Sequence, residues 1–124
     1  MAVLPAPSEP THRLDGARFT SLATPSRGSS ETSVWTVEIT PGVPGTPHRV
    51  TREEVFVVLA GRAEVRLADE ISYAGVGDAI VVPPGVPFAL AAAGEDALRA
   101  LCCLPVGGQG LVGEGAPFTP PWAE

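Results

Sequence analysis

The sequence predicts one all-β domain, a sandwich or barrel of short strands. Its 124 residues include 14 glycines and 14 prolines, which interrupt the chain at intervals of roughly 8–12 residues, as is typical of such folds. The segments between them are rich in valine, isoleucine, leucine and phenylalanine. No segment combines helix caps with a 3.6-residue apolar period. The length suits a single hydrophobic core.

Two stretches show the alternation that is typical of half-buried strands. In SVWTVEIT (33–40), apolar residues beginning at Trp35 alternate with polar ones, so that Thr36 is expected to face solvent. In AEVRL (63–67), Ala63 and the two apolar residues that follow it are expected to face the core. Both stretches therefore predict strands with one buried face.

Turn residues separate the remaining strands. A hairpin turn is predicted at Asp69 and Glu70, and a second turn at GVGD (75–78). Prolines between residues 83 and 87 break the ladder between two further strands, because proline cannot donate to it. GED (94–96) turns the chain into ALRALCCLP, a strand with the following inward-facing residues: Leu98, Ala100 and Cys102.

The two ends differ in composition from the middle of the chain. We predict a single domain over residues 1–124, with a core at about 30–105. Residues 1–29 are expected to form an extended arm that adds an edge strand from Ala17 to Ala23. Residues 106–124 form a tail rich in glycine and proline, which three apolar residues are expected to hold against a surface: Leu111, Phe118 and Trp122.

Charge and composition exclude several classes of function. The net charge is −6 and all eight basic residues are arginines, which argues against nucleic acid or an anionic membrane as a partner. The absence of lysine removes Schiff-base and P-loop chemistry. The first residues show no basic start followed by an apolar stretch, and no apolar run reaches the roughly 18 residues that a membrane span needs, so we expect no secretory signal and predict a cytoplasmic protein. The adjacent Cys102 and Cys103 are predicted to be buried thiols.

Two motifs identify a family resemblance. The stretches HRVTREEVFVVLAG (48–61) and GDAIVVPPGVPF (77–88) match the spacing of the two conserved motifs of the cupins, with Gly61, Pro83 and Gly85 at the turn positions. The chain therefore resembles a small single-domain cupin. The resemblance implies a double-stranded β-helix, also called a jelly-roll barrel.

The same motifs are degenerate at the positions that bind metal in that family. The resemblance places His48 and Glu54 at two of the four usual ligands, whereas Val50 and Phe88 replace two histidines. A divalent transition metal needs three or four protein ligands, so no cofactor is predicted. An alternative remains open in which Cys102 joins His48 and Glu54 to hold Fe, Mn, Ni, Cu or Zn.

His48 and Glu54 are the candidate catalytic residues. His48 is a metal ligand, a general base, or a partly buried histidine that is hydrogen-bonded to Glu54. A histidine and a carboxylate in an apolar cup can act as base and acid on a bound substrate. Glu53 is expected on the opposite face of the strand from Glu54, in solvent.

The resemblance also predicts an apolar cavity inside the barrel. Its walls suit a flat, mostly apolar small molecule with one or two polar groups, although the same side chains can instead simply fill the core. The predicted lining residues are Trp35, Val50, Phe56, Val58, Phe88 and Cys102.

Three functions follow as hypotheses. The first is a cupin that binds a small molecule of unassigned identity and catalyses metal-independent proton transfer, such as isomerisation, cyclisation or elimination. The second is a metal-dependent dioxygenase or isomerase with an unusual ligand set. The third is a non-catalytic binding or regulatory module. The resemblance also predicts a homodimer, and exposed sheet edges favour one on physical grounds.

Overall fold

The computed structural model describes residues 2–124, which form strands joined by short turns and loops. The only helices in this part of the chain are two single 3-10 turns, Pro25–Arg27 and Pro121–Ala123. Neither is long or apolar enough to cross a bilayer. The strands are β1 (His12–Leu14), β2 (Ala17–Ala23), β3 (Thr32–Ile39), β4 (Arg49–Val50), β5 (Glu54–Ala60), β6 (Ala63–Leu67), β7 (Glu70–Ala74), β8 (Ala79–Val82), β9 (Phe88–Ala92), β10 (Leu98–Pro105) and β11 (Gly110–Leu111).

The strands form antiparallel sheets around one core. The large sheet has the order β1-β2-β3-β10-β5-β8, and a smaller sheet has the order β7-β6-β9. A short two-stranded sheet, β11-β4, joins the tail to the middle of the chain. Buried apolar side chains from both larger sheets belong to one cluster. The predicted all-β jelly-roll fold is therefore confirmed.

The register of the large sheet aligns inward-facing side chains in rows. Cys102 pairs with Trp35 on one side and with Phe56 on the other, and Phe56 pairs with Ile80. All four are buried. The predicted inward face of the last long strand is thus confirmed, because alternation along β10 carries every second residue into the core.

One predicted turn is displaced by one residue. Leu67 pairs with Glu70, so the two-residue loop of the hairpin consists of Ala68 and Asp69 rather than Asp69 and Glu70. Ala68 adopts the left-handed conformation, with φ of 53°, that the first position of such a loop requires. The sequence prediction was wrong here because it expected a polar residue at this position.

The structure differs from the predictions for the N-terminal arm, for Thr36 and for the extent of the core. The strand Ala17–Ala23 is confirmed, but β1 pairs with it, so it is the second strand of the sheet and not its edge. Thr36 was expected in solvent but is only 8% exposed, because residues 6–10 cross the outer face of the sheet close to it. The buried core also extends beyond residues 30–105 to include Phe19 and Ala123.

Three serine hydroxyl groups hold the last residues of the chain. Ser21, Ser26 and Ser33 each donate a hydrogen bond of 2.7 Å to a backbone carbonyl oxygen of residues 122–124. The serines belong to β2, the first 3-10 turn and β3. We call these three bonds the serine clamp. The clamp fixes the tail against the large sheet.

Removing one buried bond of the serine clamp should destabilise the fold. We expect Ser33→Ala to lower the free energy of unfolding by about 1–3 kcal/mol, because it leaves the buried carbonyl of Ala123 without a donor. Ser72→Ala is the control. Ser72 lies exposed on β7 outside the serine clamp, so a change below about 0.5 kcal/mol is expected in urea unfolding. Equal effects of the two substitutions would contradict this account.

The second edge of the large sheet is β8, at the opposite end from β1. Val81 on this strand is half exposed, and the outward side chains of the neighbouring β5 are also apolar. Exposed apolar edges favour pairing between chains. Homodimerisation stays a prediction.

Candidate functional site

A cavity of about 350 Å³ opens between the two larger sheets. Its walls are almost entirely apolar, and they come from the large sheet, from β9, from the loop before β4 and from the tail. Gly45 in that loop lies so close to β9 that a Cβ atom there would collide with the carbonyl oxygen of Leu90. Because glycine has no Cβ, the loop can make this close approach. The polar or titratable groups in the lining are Asp15, Thr46, His48, Glu54 and Cys102.

Glu54 is the most deeply placed charged residue of the cavity. It is the first residue of β5, it pairs with Val82, and it is 5% exposed. No hydrogen bond to its carboxyl group is found among residues 2–124, and its oxygens are not fully enclosed but reach the cavity. Burial without a compensating partner raises the pKa of Glu54 to about 8. The carboxyl group is therefore mainly protonated at pH 7.

His48 is held at the cavity by its backbone and its ring. Its amide and carbonyl exchange two hydrogen bonds of 2.9 Å with Phe88, and the two rings lie 4.1 Å apart. The ring Nδ1 lies 3.0 Å from the carbonyl oxygen of Thr46, which can only accept, so Nδ1 carries the proton and Nε2 the lone pair. Burial lowers the pKa of His48, and the bond to Thr46 opposes that shift only in part. The imidazole is therefore neutral at pH 7.

The predicted hydrogen bond between His48 and Glu54 is not found in the described part of the chain. The Nδ1 of His48 bonds to the carbonyl of Thr46, its Nε2 has no hydrogen-bond partner among residues 2–124, and burial is the cause that raises the pKa of Glu54. That alternative for His48 was wrong because the spacing of two residues places them at one cavity without fixing the distance between their polar atoms. The two residues line the same cavity as separate neutral groups, an acid and a base.

Four of the six predicted lining residues lie in the cavity wall, namely Trp35, Phe56, Phe88 and Cys102. Val50 and Val58 do not. Val58 pairs with Ala100, one row further along the sheet than Phe56, where the interior is filled. Val50 is buried in β4 beside Gly110. The prediction was wrong for these two residues because alternation fixes a face of the sheet but not the extent of the cavity.

Sequence reasoning missed the wall that the two ends of the chain build. Phe19 from β2 and Trp122 from the tail stack at 3.7 Å with an angle of 7° between their planes. Both line the cavity, together with Phe118. Alternation in ARFTSLA puts Phe19 on the same, inward face of β2 as Ser21, so the sequence did contain a signal for the burial of Phe19. Trp122 was predicted to hold the tail against a surface, but its place in the cavity wall depends on the serine clamp, which the sequence does not show.

The donor set does not fit a resident transition metal. No group of three His, Cys, Asp or Glu side chains in residues 2–124 is arranged to hold an ion. Val50 and Phe88 offer no donor atom. Burial, then the nearby Glu54 and Cys103, raise the pKa of Cys102 well above its ordinary value. Among residues 2–124, His48, Glu54 and Cys102 are not brought together as a three-ligand set.

The fold, the paired motifs and the cavity define a small barrel protein of the cupin class. The family model described as "Cupin domain" matches residues 35–104, more than half of the chain. The chain belongs to the cupin family. No curated protein is significantly similar to it in sequence.

Solved structures share the fold at low identity. KdgF from Halomonas sp. is 24% identical with a TM-score of 0.67, over 78% of this chain and 86% of that one. The polyketide cyclase RemF from Streptomyces resistomycificus is 24% identical with a TM-score of 0.68, over 82% and 73%. An RmlC-like cupin from Shewanella frigidimarina is 18% identical with a TM-score of 0.65, over 82% and 83%. At these identities the likeness establishes the architecture alone.

Proposed function

We propose that the protein binds a small molecule in this cavity and moves a proton on it, with Glu54 taking up and returning the proton and with no resident metal ion. The observation that carries the proposal is the position of Glu54, a carboxyl group without a hydrogen-bond partner in a mostly apolar cavity. A structural carboxylate is normally paired or solvated, because burying it alone is costly. Titratable side chains that are buried in this way, with a shifted pKa, are typical of functional sites.

The protonation state of Glu54 suits a general acid and base. General catalysis is most efficient when the pKa of the group lies near the working pH, and burial raises the pKa of Glu54 to about 8. Near neutral pH both of its forms are populated. Neutral His48 adds a second group of the opposite kind, since its Nε2 lone pair can accept a proton while protonated Glu54 donates one.

One solved structure of the same fold supports this proposal without assigning a substrate. RemF is a polyketide cyclase, and cyclisation, like isomerisation and elimination, requires protons to be moved on the substrate. The cupin family hosts many reactions on one barrel, so the reaction of this chain has to be argued from its own cavity.

Exchange of a carbon-bound proton tests the proposal directly. In D₂O, the Glu54 carboxylate is expected to remove an α-proton from the bicyclic ketone 2-tetralone, to exchange it with solvent and to return a deuteron to the same carbon. NMR should show exchange above the buffer background, with a rate that rises with pH through about 8 as the carboxylate forms and then levels off. We expect Glu54→Gln to lower the enzyme-dependent rate by at least about a hundredfold.

Glu53→Gln is the matched control for this experiment. Glu53 is the preceding residue and its side chain is exposed, so its exchange rate should stay within about twofold of wild type. Exchange that survives in Glu54→Gln would overturn the role of Glu54. Saturable binding of 2-tetralone without any exchange would support a non-catalytic binding module instead.

A further inference from the structure

Aromatic rings from both sheets line the cavity. The stacked pair of Phe19 and Trp122 forms one part of the wall, and Trp35 lies near it in the large sheet. Phe88 from the smaller sheet meets Phe56 with ring centroids 5.9 Å apart and planes inclined by 58°. Rings that already pack in stacked and tilted arrangements offer both faces and edges to a further ring. The walls therefore favour a planar aromatic ligand.

The volume of the cavity limits the size of that ligand. At about 350 Å³ it has room for about a dozen water molecules at roughly 30 Å³ each. This lies at the lower end of the range of roughly 300–1,000 Å³ for small-molecule sites. A ligand of about two or three fused rings fits a cavity of this volume.

The charges of the lining argue against an anionic ligand. None of the eight arginines, all of which the structure describes, lines the cavity, and the chain has no lysine. The titratable residues that do are Asp15, His48, Glu54 and Cys102. Two of these are acids, and the only one able to become a cation is His48. A carboxylate that entered would lose its hydration without gaining a counter-charge.

The geometry points to a ligand class that we infer for this cavity: a neutral, planar aromatic molecule with a hydroxyl or keto group that hydrogen-bonds to Glu54, with aromatic carboxylates rejected. This inference rests on the proposed ligand-binding role of the cavity. Protonated Glu54 can donate a hydrogen bond to a keto oxygen or accept one from a hydroxyl group, so it can bind a ligand that carries either group. Rejection of carboxylates follows from the missing counter-charge, which is a form of specificity by exclusion.

Equilibrium binding of three naphthalene probes tests the inference without requiring any reaction. At pH 7 we expect 2-naphthol and 2-naphthamide to bind at least about tenfold more tightly than 2-naphthoate, measured by calorimetry and by quenching of Trp35 and Trp122 fluorescence. The amide and the carboxylate have nearly the same shape, so their comparison isolates the charge. Tighter or equal binding of 2-naphthoate would overturn the inference.

A substitution at the rim supplies the converse test. Phe118 lines the cavity but is 41% exposed, so Phe118→Arg places a cation in the wall with little burden on the fold. We expect the ratio of 2-naphthoate affinity to 2-naphthamide affinity to be at least about tenfold higher in this variant than in wild type, because the loss of the Phe118 ring affects both probes alike. An unchanged ratio would contradict the role of the missing counter-charge.

The outcomes separate this inference from the proposed function. If 2-naphthoate binds as well as the amide while Glu54-dependent exchange of 2-tetralone persists, only the charge selection fails. If the neutral probes bind selectively and no exchange occurs, the proton-transfer proposal fails and the ligand class stands. Failure of all three probes to bind saturably overturns the aromatic cavity itself.

Discussion

Replacing Glu54 with glutamine is expected to make the protein more stable than wild type at pH 8, and most of the difference should disappear at pH 5. Burial raises the pKa of Glu54 from 4.5 to about 8, so the folded chain binds more protons than the unfolded chain between these values. Wild-type stability must then fall as pH rises through this interval and level off above about 8. Glutamine cannot ionise and removes that dependence.

The expected size of the effect is large for a single residue. Between pH 5 and pH 8 the difference in free energy of unfolding between Glu54→Gln and wild type should grow by about 3 kcal/mol. Urea unfolding followed by tryptophan fluorescence at several pH values measures it directly. Glu53→Gln, on the exposed face of the chain, should follow wild type within about 0.5 kcal/mol throughout. Parallel pH profiles for Glu54→Gln and wild type would show that Glu54 is not buried as a lone carboxyl group.

Restoring one histidine should create a metal site where the wild-type residues do not form one. Phe88 lies against His48 with ring centroids 4.1 Å apart, and both residues line the cavity with Glu54. Phe88→His supplies a third donor, so we expect bound Co²⁺ or Zn²⁺ to rise from less than about a tenth of an ion to about one ion per chain. The change is observable as visible Co²⁺ absorption and by elemental analysis after dialysis.

The same substitution should also couple metal binding to the proton of Glu54. A carboxylate ligand must be deprotonated, so the affinity of Phe88→His for Co²⁺ should increase with pH up to about 8. Leu90→His is the control, because it places an imidazole in the same cavity from the same strand at a position outside the family's ligand pattern. Stoichiometric metal in the wild-type protein, or none in Phe88→His, would contradict our account of the donor set.

Local signals in the sequence were sufficient to predict an all-β domain, and the resemblance of its two motifs to the cupins then implied the jelly-roll barrel. Alternation places Trp35 and Cys102 on the inner face wherever the strand pairs, and prolines after Val82 stop the ladder regardless of the rest of the chain. The hairpin at Ala68 was misplaced by one residue because a backbone conformation, rather than a residue type, decided it.

The site was predictable only as far as the family motifs extend. The spacing of the motifs correctly brought His48, Glu54 and Phe88 to one cavity. It did not show that the Nδ1 of His48 would hydrogen-bond to the carbonyl of Thr46, nor that Trp122 would complete the cavity wall. These features depend on a loop conformation and on hydrogen bonds between residues about a hundred positions apart, such as Ser21 and Trp122. Neither leaves a periodic signal.

The serine clamp holds a part of the cavity wall that lies outside the family motifs. The residues proposed to move the proton, His48 and Glu54, lie within those motifs, whereas part of the wall comes from segments outside the family match, at Phe19, Phe118 and Trp122. Because the clamp attaches the tail mainly through its backbone carbonyls, side chains there can be exchanged while the attachment persists. Substitutions of the tail side chains that line the cavity should therefore change which ligands fit it, with the buried acid at Glu54 left unchanged.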